Sequence, residues 1–369
     1  MRNSDSSPVP GRASGPARTA ILQIHPSVRC NLSCAHCYSS SGPMASAELD
    51  VETVCKVISD AARMGYQVVS VSGGEPLMYG GLGDVLAYAR SLNLRTTVTT
   101  NGFFIGSDRL ARVCKWVDVL AVSLDGPPEI HNAIRGSLHA FKRLEAGLEA
   151  VRKTGIQFGF IHTLTQQNWK HLLWVAEFAA SNGARLLQIH PLELAGRAGS
   201  QMASEASASD VLEKVYVLAF ALANKYADTM RVQLDLLYRD DLREEPGLVY
   251  AGEQDNDCDQ TIPAQLLGLL VLEPDGSVVP VSYGFSRRYK ICNVKEQRLF
   301  NAWPDYVENG YTEFRALCRR VWGDLCASDA PLLTNWHGVI TSQSYADDYE
   351  LKQITSHTLT DNGSVTPKG

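Results

Sequence analysis

Short apolar runs alternate along this chain with longer segments whose apolar residues recur at helical spacing. AILQI (20–24), VVSVS (68–72), LRTTV (94–98), VLAVSL (119–124), IQFGFIHTL (156–164) and RLLQIH (185–190) read as buried strands. Between them, Val51 to Met64, Leu82 to Leu92, Ala140 to Thr154 and Trp169 to Ser181 carry the helical period, each closing near a Gly or Asn. Successive βα units need crossover connections, and these are right-handed, so the chain folds as a doubly wound sheet or as a full or partial barrel. Six units predict an α/β protein built on a partial (β/α)6, TIM-like barrel.

The rhythm changes after a Gly- and Ser-rich stretch at 195–209. An apolar helix from Asp210 to about Lys225 closes the barrel region, residues 20–226. Residues 227–341 then hold one strand pattern, RVQLDLLY (231–238), and a hairpin, LLGLLVLEPDGSVVPV (266–281), turned by Pro274-Asp275-Gly276. This predicts a smaller C-terminal α+β domain. Residues 1–19, rich in Ser, Pro, Gly and Ala, read as a disordered leader, and the polar stretch 342–369 as a flexible tail.

Composition narrows the function classes. Apolar residues make up 45% and charged residues 20%, and no run of about 18 apolar residues could span a bilayer, so no membrane association is expected. A net charge of −6 argues against a nucleic-acid surface. The N-terminus lacks the apolar core of a secretory signal, which predicts a cytoplasmic protein. In that reducing compartment the nine cysteines, an odd number, read as metal ligands or small core residues.

Three of them, Cys30, Cys34 and Cys37, lie directly after the first strand, at the carboxyl end where barrels place their chemistry. A structural zinc site wants four ligands, and the next cysteine, Cys55, falls on a predicted helix. His25 or His36 could complete a Cys3His site. A four-iron, four-sulfur cube held by three thiolates instead keeps one iron open for a ligand.

The spacing Cys-x3-Cys-x2-Cys on this loop resembles the signature of the radical S-adenosylmethionine (SAM) enzymes. The resemblance implies a [4Fe-4S] cluster on Cys30, Cys34 and Cys37 whose open iron is chelated by SAM. One electron then splits the sulfonium and yields a 5′-deoxyadenosyl radical that takes hydrogen from substrate. His36 fills the position where the family places a ring near the adenine, or else is an exposed loop residue. Gly73-Gly74-Glu75-Pro76 resembles the motif that binds the methionyl amino group. Thr100 and Asn101, at the end of the third strand, and Ser123 and Asp125, at the end of the fourth, offer short polar groups for ribose or carboxylate. Arg135 matches an arginine that pairs with the cofactor carboxylate, or is a surface residue. His190 and Gly196-Arg197-Ala198 resemble the adenine-side segment, although His190 could equally be a satisfied core or pocket histidine.

The hairpin resembles a degenerate SPASM extension, in which a cysteine would stand where this chain has Val281. Only Cys258, Cys292, Cys318 and Cys326 remain there, enough for one auxiliary Fe-S cluster but without tight paired spacing, so they read first as small buried hydrophobes. The resemblance points to modification of a ribosomally made peptide, with an electron donor such as flavodoxin or ferredoxin and a separate peptide-carrier protein as candidate partners. Dehydrogenation or rearrangement of an aminocyclitol, sugar or amino-acid derivative is the alternative. A non-catalytic iron–sulfur or zinc scaffold or electron carrier is the rival of another class.

Overall fold

The computed structural model describes residues 19–248 and 262–346. Seven strands, β1 (Ile21–Ile24), β2 (Val68–Val71), β3 (Arg95–Thr100), β4 (Val119–Ser123), β5 (Gln157–Leu164), β6 (Leu186–Pro191) and β7 (Arg231–Leu234), pair in sequence order and all parallel. Their crossovers carry α1 (Val51–Arg63), α2 (Leu82–Ser91), α3 (Asp108–Val113), α4 (Pro128–Arg135), α5 (Ala140–Thr154), α6 (Leu172–Ser181), α7 (Arg197–Gln201) and α8 (Ser209–Lys225). The protein is α/β with a large parallel sheet, as its periodicity predicts. The short helices α3 and α4 escape that periodicity because each spans only two turns.

Strand burial explains the layering. In β1, Leu22 and Ile24 are fully buried, as are Val69 and Val71 in β2, and they meet Val54, Val57, Ile58 and Ala61 of α1. Alternate strand residues thus pack under the helices while the others face the barrel interior. Asp50 caps α1 by accepting a 2.8 Å hydrogen bond from the Thr53 amide.

The C-terminal part departs from a separate-domain picture. After β8 (Leu237–Tyr238), α9 (Arg239–Glu244) and α10 (Pro263–Leu266), strand β9 (Leu269–Leu272) joins the barrel sheet, parallel to β1 in the register Ile21 to Leu269. Antiparallel β10 (Ser277–Pro280) and β11 (Cys292–Asn293) extend it into a sheet of ten strands, β11-β10-β9-β1-β2-β3-β4-β5-β6-β7. The expected boundary at 226 therefore does not part the sheet: β7 and β9 both lie beyond it. Then α11 (Leu299–Asp305) and α12 (Tyr311–Cys326) cover the hairpin, and β12 (Leu333–Thr334) pairs with β8.

Arg298 donates to the buried Asp60 carboxylate of α1 at 2.9 and 2.5 Å and so ties α11 to the barrel. Residues 336–346 are helical, with Trp336, Ile340 and Ser344 buried at a spacing of four, so the ordered chain runs past the expected tail boundary at 342. The expected leader before residue 19, Cys258, and residues 347–369 lie outside the described residues. Among those described, no helix is long and apolar enough to cross a membrane.

Candidate functional site

The three-cysteine loop leaves β1 and is held on both flanks by backbone. On one flank Gly74 donates to the Ser27 carbonyl at 2.8 Å and Glu75 to the Arg29 carbonyl at 3.0 Å. The fit admits only glycine: a Cβ on Gly74 would stand 2.1 Å from the Arg29 oxygen. On the other flank Arg197 donates its amide to the Cys37 carbonyl at 2.9 Å, its Nε to the Cys34 carbonyl at 2.9 Å and its Nη2 to the Ser41 carbonyl at 2.5 Å. Gly196 makes that approach with φ 55°, where a Cβ would lie 2.2 Å from the Tyr38 oxygen. The expected adenine-side segment thus serves, in this fold, to clamp the loop.

Cys30 and Cys34 are buried and Cys37 half-buried, and all three line one cavity of about 1060 Å³. Each sulfur has its own polar neighbour: Asn101 Nδ2 at 3.7 Å from Cys30, Arg135 Nη1 at 3.9 Å from Cys34 and Ser39 Oγ at 3.4 Å from Cys37. Burial pushes the Cys30 thiol up to about 12 and also raises that of Cys34, where nearby Arg135 works the other way. Thiolates in such a dry site need a compensating positive charge, which iron supplies. This donor set fits an iron–sulfur cluster. Both histidines of the zinc alternative have other partners: His25 Nε2 lies 2.8 Å from Gln23 Nε2, and His36 Nε2 lies 3.3 Å from Asp125 Oδ2.

The other sequence-derived residues divide into two groups. Gly73, Gly74, Thr100, Asn101, Ser123, His36 and Arg135 line the cavity beside the thiols. Glu75, Pro76 and Asp125 stand behind its wall, all buried. Glu75 accepts from Thr100 Oγ1 at 2.8 Å, the Asn101 amide at 2.8 Å and the Leu77 amide at 3.1 Å, so it joins the ends of β2 and β3. Burial raises its carboxyl, and these bonds act against that rise.

Asp125 receives Arg135 Nε at 2.6 Å, with His131 Nδ1 3.8 Å away. Burial alone would raise this carboxyl, but the Arg135 and His36 charges hold it well below the usual range. Arg135 is therefore not the surface residue of the alternative expectation. It ends α4, is 6% exposed, and already carries an ion pair.

The wall across the cavity went unassigned in the sequence apart from His190. There His190 Nδ1 lies 2.9 Å from Asp235 Oδ2 and its Nε2 3.2 Å from Glu193 Oε1, while Gln188 and Gln233 donate to Asp235 at 2.6 and 2.9 Å. Burial would lower this imidazole; its two carboxylate partners instead lift it to about 10. Asn335 hydrogen-bonds Glu193, and His337 sits alongside. Tyr38 is a second omission, although it directly follows Cys37: its hydroxyl lies 3.4 Å from Ser72 Oγ, and its ring stands edge-on to His25 and Tyr283. Among the described residues, the expected auxiliary ligands Cys292, Cys318 and Cys326 are not drawn together into one group. Cys318 and Cys326 are eight residues, about 12 Å, apart along α12, and burial pushes Cys292 and Cys318 up to about 12 as neutral core thiols.

A barrel with three thiols on its first loop, over a cavity large enough for a nucleoside, defines a class of iron–sulfur protein. Residues 24–179 match the family described as the Radical SAM superfamily, whose members use a [4Fe-4S] cluster and SAM. It is 34% identical over 180 residues to the Fe-coproporphyrin III synthase of Methanosarcina barkeri, covering 48% of this chain and 45% of that one. To the mycofactocin maturase MftC of Mycolicibacterium smegmatis it is 33% identical over 172 residues, 46% and 43% of the two chains. The chain thus spans about half the length of the curated relatives it matches. In fold it is like Streptococcus suis SuiB bound to S-adenosylmethionine, with a TM-score of 0.64 at 16% identity over 82% of this chain and 68% of that one.

Proposed function

We propose that this chain is a radical SAM enzyme in which Cys30, Cys34 and Cys37 hold the [4Fe-4S] cluster. The observation that carries the reading is the placement of three thiols, two buried and one half-buried, on one clamped loop at the wall of a cavity of about 1060 Å³. That is at the upper end of ordinary ligand sites and leaves room for part of a substrate beside a cofactor. When bound, the cluster and SAM supply one-electron cleavage of a sulfonium and hydrogen abstraction. The chain supplies the rest. Gly73, Gly74, Asn101 and Ser123 present small polar surfaces to the cofactor, His36 offers a ring beside it, and Glu75, Pro76, Thr100 and Asp125 keep those groups in place.

A ribosomally made peptide is the substrate class favoured. Support comes from the likeness to a maturase and from the mixed far wall, where Gln188, Gln233 and Asn335 offer amide groups beside the Glu193 and Asp235 carboxylates. A small amine- or hydroxyl-bearing metabolite is the second reading, since the same wall offers it hydrogen-bond partners. The electron donor, such as flavodoxin or ferredoxin, and a peptide carrier are proposed partners.

The test is 5′-deoxyadenosine formation under strong reductant after anaerobic reconstitution, measured by chromatography. Wild type should form it and Cys34→Ala should not; equal yields refute the assignment. Iron should reach about four per chain, while about eight would restore an auxiliary cluster. Deuterated peptides and metabolites then separate the two substrate readings by the label each leaves in 5′-deoxyadenosine.

A further inference from the structure

The three thiols do not share one environment. Each faces a different polar side chain, brought by a different part of the chain: a neutral amide from Asn101 at the end of β3, a guanidinium from Arg135 at the end of α4, and from the loop itself the hydroxyl of Ser39, which donates once Cys37 is a thiolate. The Leu32 amide also donates to Cys30 at 3.5 Å. Asn101 is anchored twice, its Nδ2 donating to Asn31 Oδ1 at 2.9 Å and its Oδ1 accepting from the Phe103 amide at 2.9 Å. Arg135 is anchored by Asp125 at 2.6 Å on the Nε side, so the ion pair presents its positive end to Cys34. Asn101 and Arg135 are both nine-tenths or more buried, so water cannot take over their roles.

We propose that Asn101, Arg135 and Ser39 are a set of sulfur donors that raises the reduction potential of the cluster, with Arg135 its strongest member. The inference rests on the reading that Cys30, Cys34 and Cys37 hold that cluster. A reduced cluster carries one more negative charge than an oxidised one, spread partly over its cysteine sulfurs. Donors and a cation beside those sulfurs stabilise the reduced state more. A charge-assisted contact is about twice as strong as a neutral one, which ranks Arg135 above Asn101 and Ser39. Arg135 and Asn101 are here positioning residues whose effect is electronic.

The experiment is a dithionite titration of the anaerobically reconstituted full chain without added SAM, followed by electron paramagnetic resonance. One electron passes to the cluster and dithionite is oxidised. Arg135→Met should disfavour reduction at least tenfold, 59 mV for a one-electron couple. Arg135→Lys, which keeps the charge, should stay within about threefold of wild type; Asn101→Ala and Ser39→Ala should each shift by about threefold in the same direction. An Arg135→Met protein with four irons that titrates like wild type overturns the proposal, as does a lysine variant shifted as far as the methionine one. If Arg135→Met fails to hold four irons, unmoved potentials in both Asn101→Ala and Ser39→Ala overturn it. Wild type without any cluster would refute the functional reading, whereas an intact cluster with unmoved potentials refutes this inference alone.

Discussion

The two walls of the cavity are built on opposite plans. The cysteine wall is a loop whose shape is set through its own main-chain carbonyls, held by the Gly74, Glu75 and Arg197 amides and by the Arg197 guanidinium. The far wall is a network of side chains, with His190 between two carboxylates and three amide side chains completing it. A wall set by backbone tolerates little change in residue size and is indifferent to pH. One set by ionisable side chains tolerates changes of size and answers to pH. The difference suits a site in which one side must present a fixed donor geometry while the other recognises a substrate.

That contrast can be broken in four ways. The largest effect is expected from Cys34→Ala, which should abolish 5′-deoxyadenosine formation while leaving the thermal melt close to wild type, because the loop is held elsewhere. A melt lowered as much as activity would show that the thiol also shapes the loop. Next comes Gly74→Ala: the added methyl meets the Arg29 carbonyl at 2.1 Å and should cost about 3 kcal/mol, read as a lower melting temperature and weaker iron retention. An unchanged melt would mean that the cysteine wall yields more readily than its contacts suggest.

The third test concerns pH. His190 is held near 10 when folded against an ordinary value of 6.5, so its contribution is fully present below about 6.5 and lost as pH rises towards 10. With its side chain 29% exposed, the contribution is discounted to on the order of 2 kcal/mol. Wild type should therefore lose melting temperature between those pH values, and His190→Gln should show a flatter curve; parallel curves would refute the role given to the far wall. The smallest effect is expected from Arg197→Lys. It exchanges a forked donor for a single ammonium and should cost about 1 kcal/mol, measured by chemical denaturation.

Legibility followed sequence distance. Each βα unit is written within 24 to 47 residues, so strand ends, and with them Cys30, Gly73, Asn101 and Ser123, could be placed from periodicity and motif order alone. Pairings over long separations could not. Nothing local in LLVL announces that β9 lies beside β1, some 250 residues earlier, or that Arg298 reaches Asp60. The same holds inside the site. Asp125 and Glu75 were legible as polar groups near strand ends and Arg135 as a motif arginine beyond one, yet which of them faces the cavity and which supports it depends on the side of the wall, and motif spacing does not encode that. Asp235 and Glu193 became visible only once β7 lay against β6.

The joining of β9 to β1 also settles how the chain can be cut. A fragment ending at 226 would strip β1 of its neighbour and remove β7, leaving an apolar strand with a bare edge of amides and carbonyls ready to pair with another copy. The C-terminal portion is thus no cassette to be exchanged between relatives at a linker: any chimera has to carry its own β9, in register with the strand that leads to the cysteines.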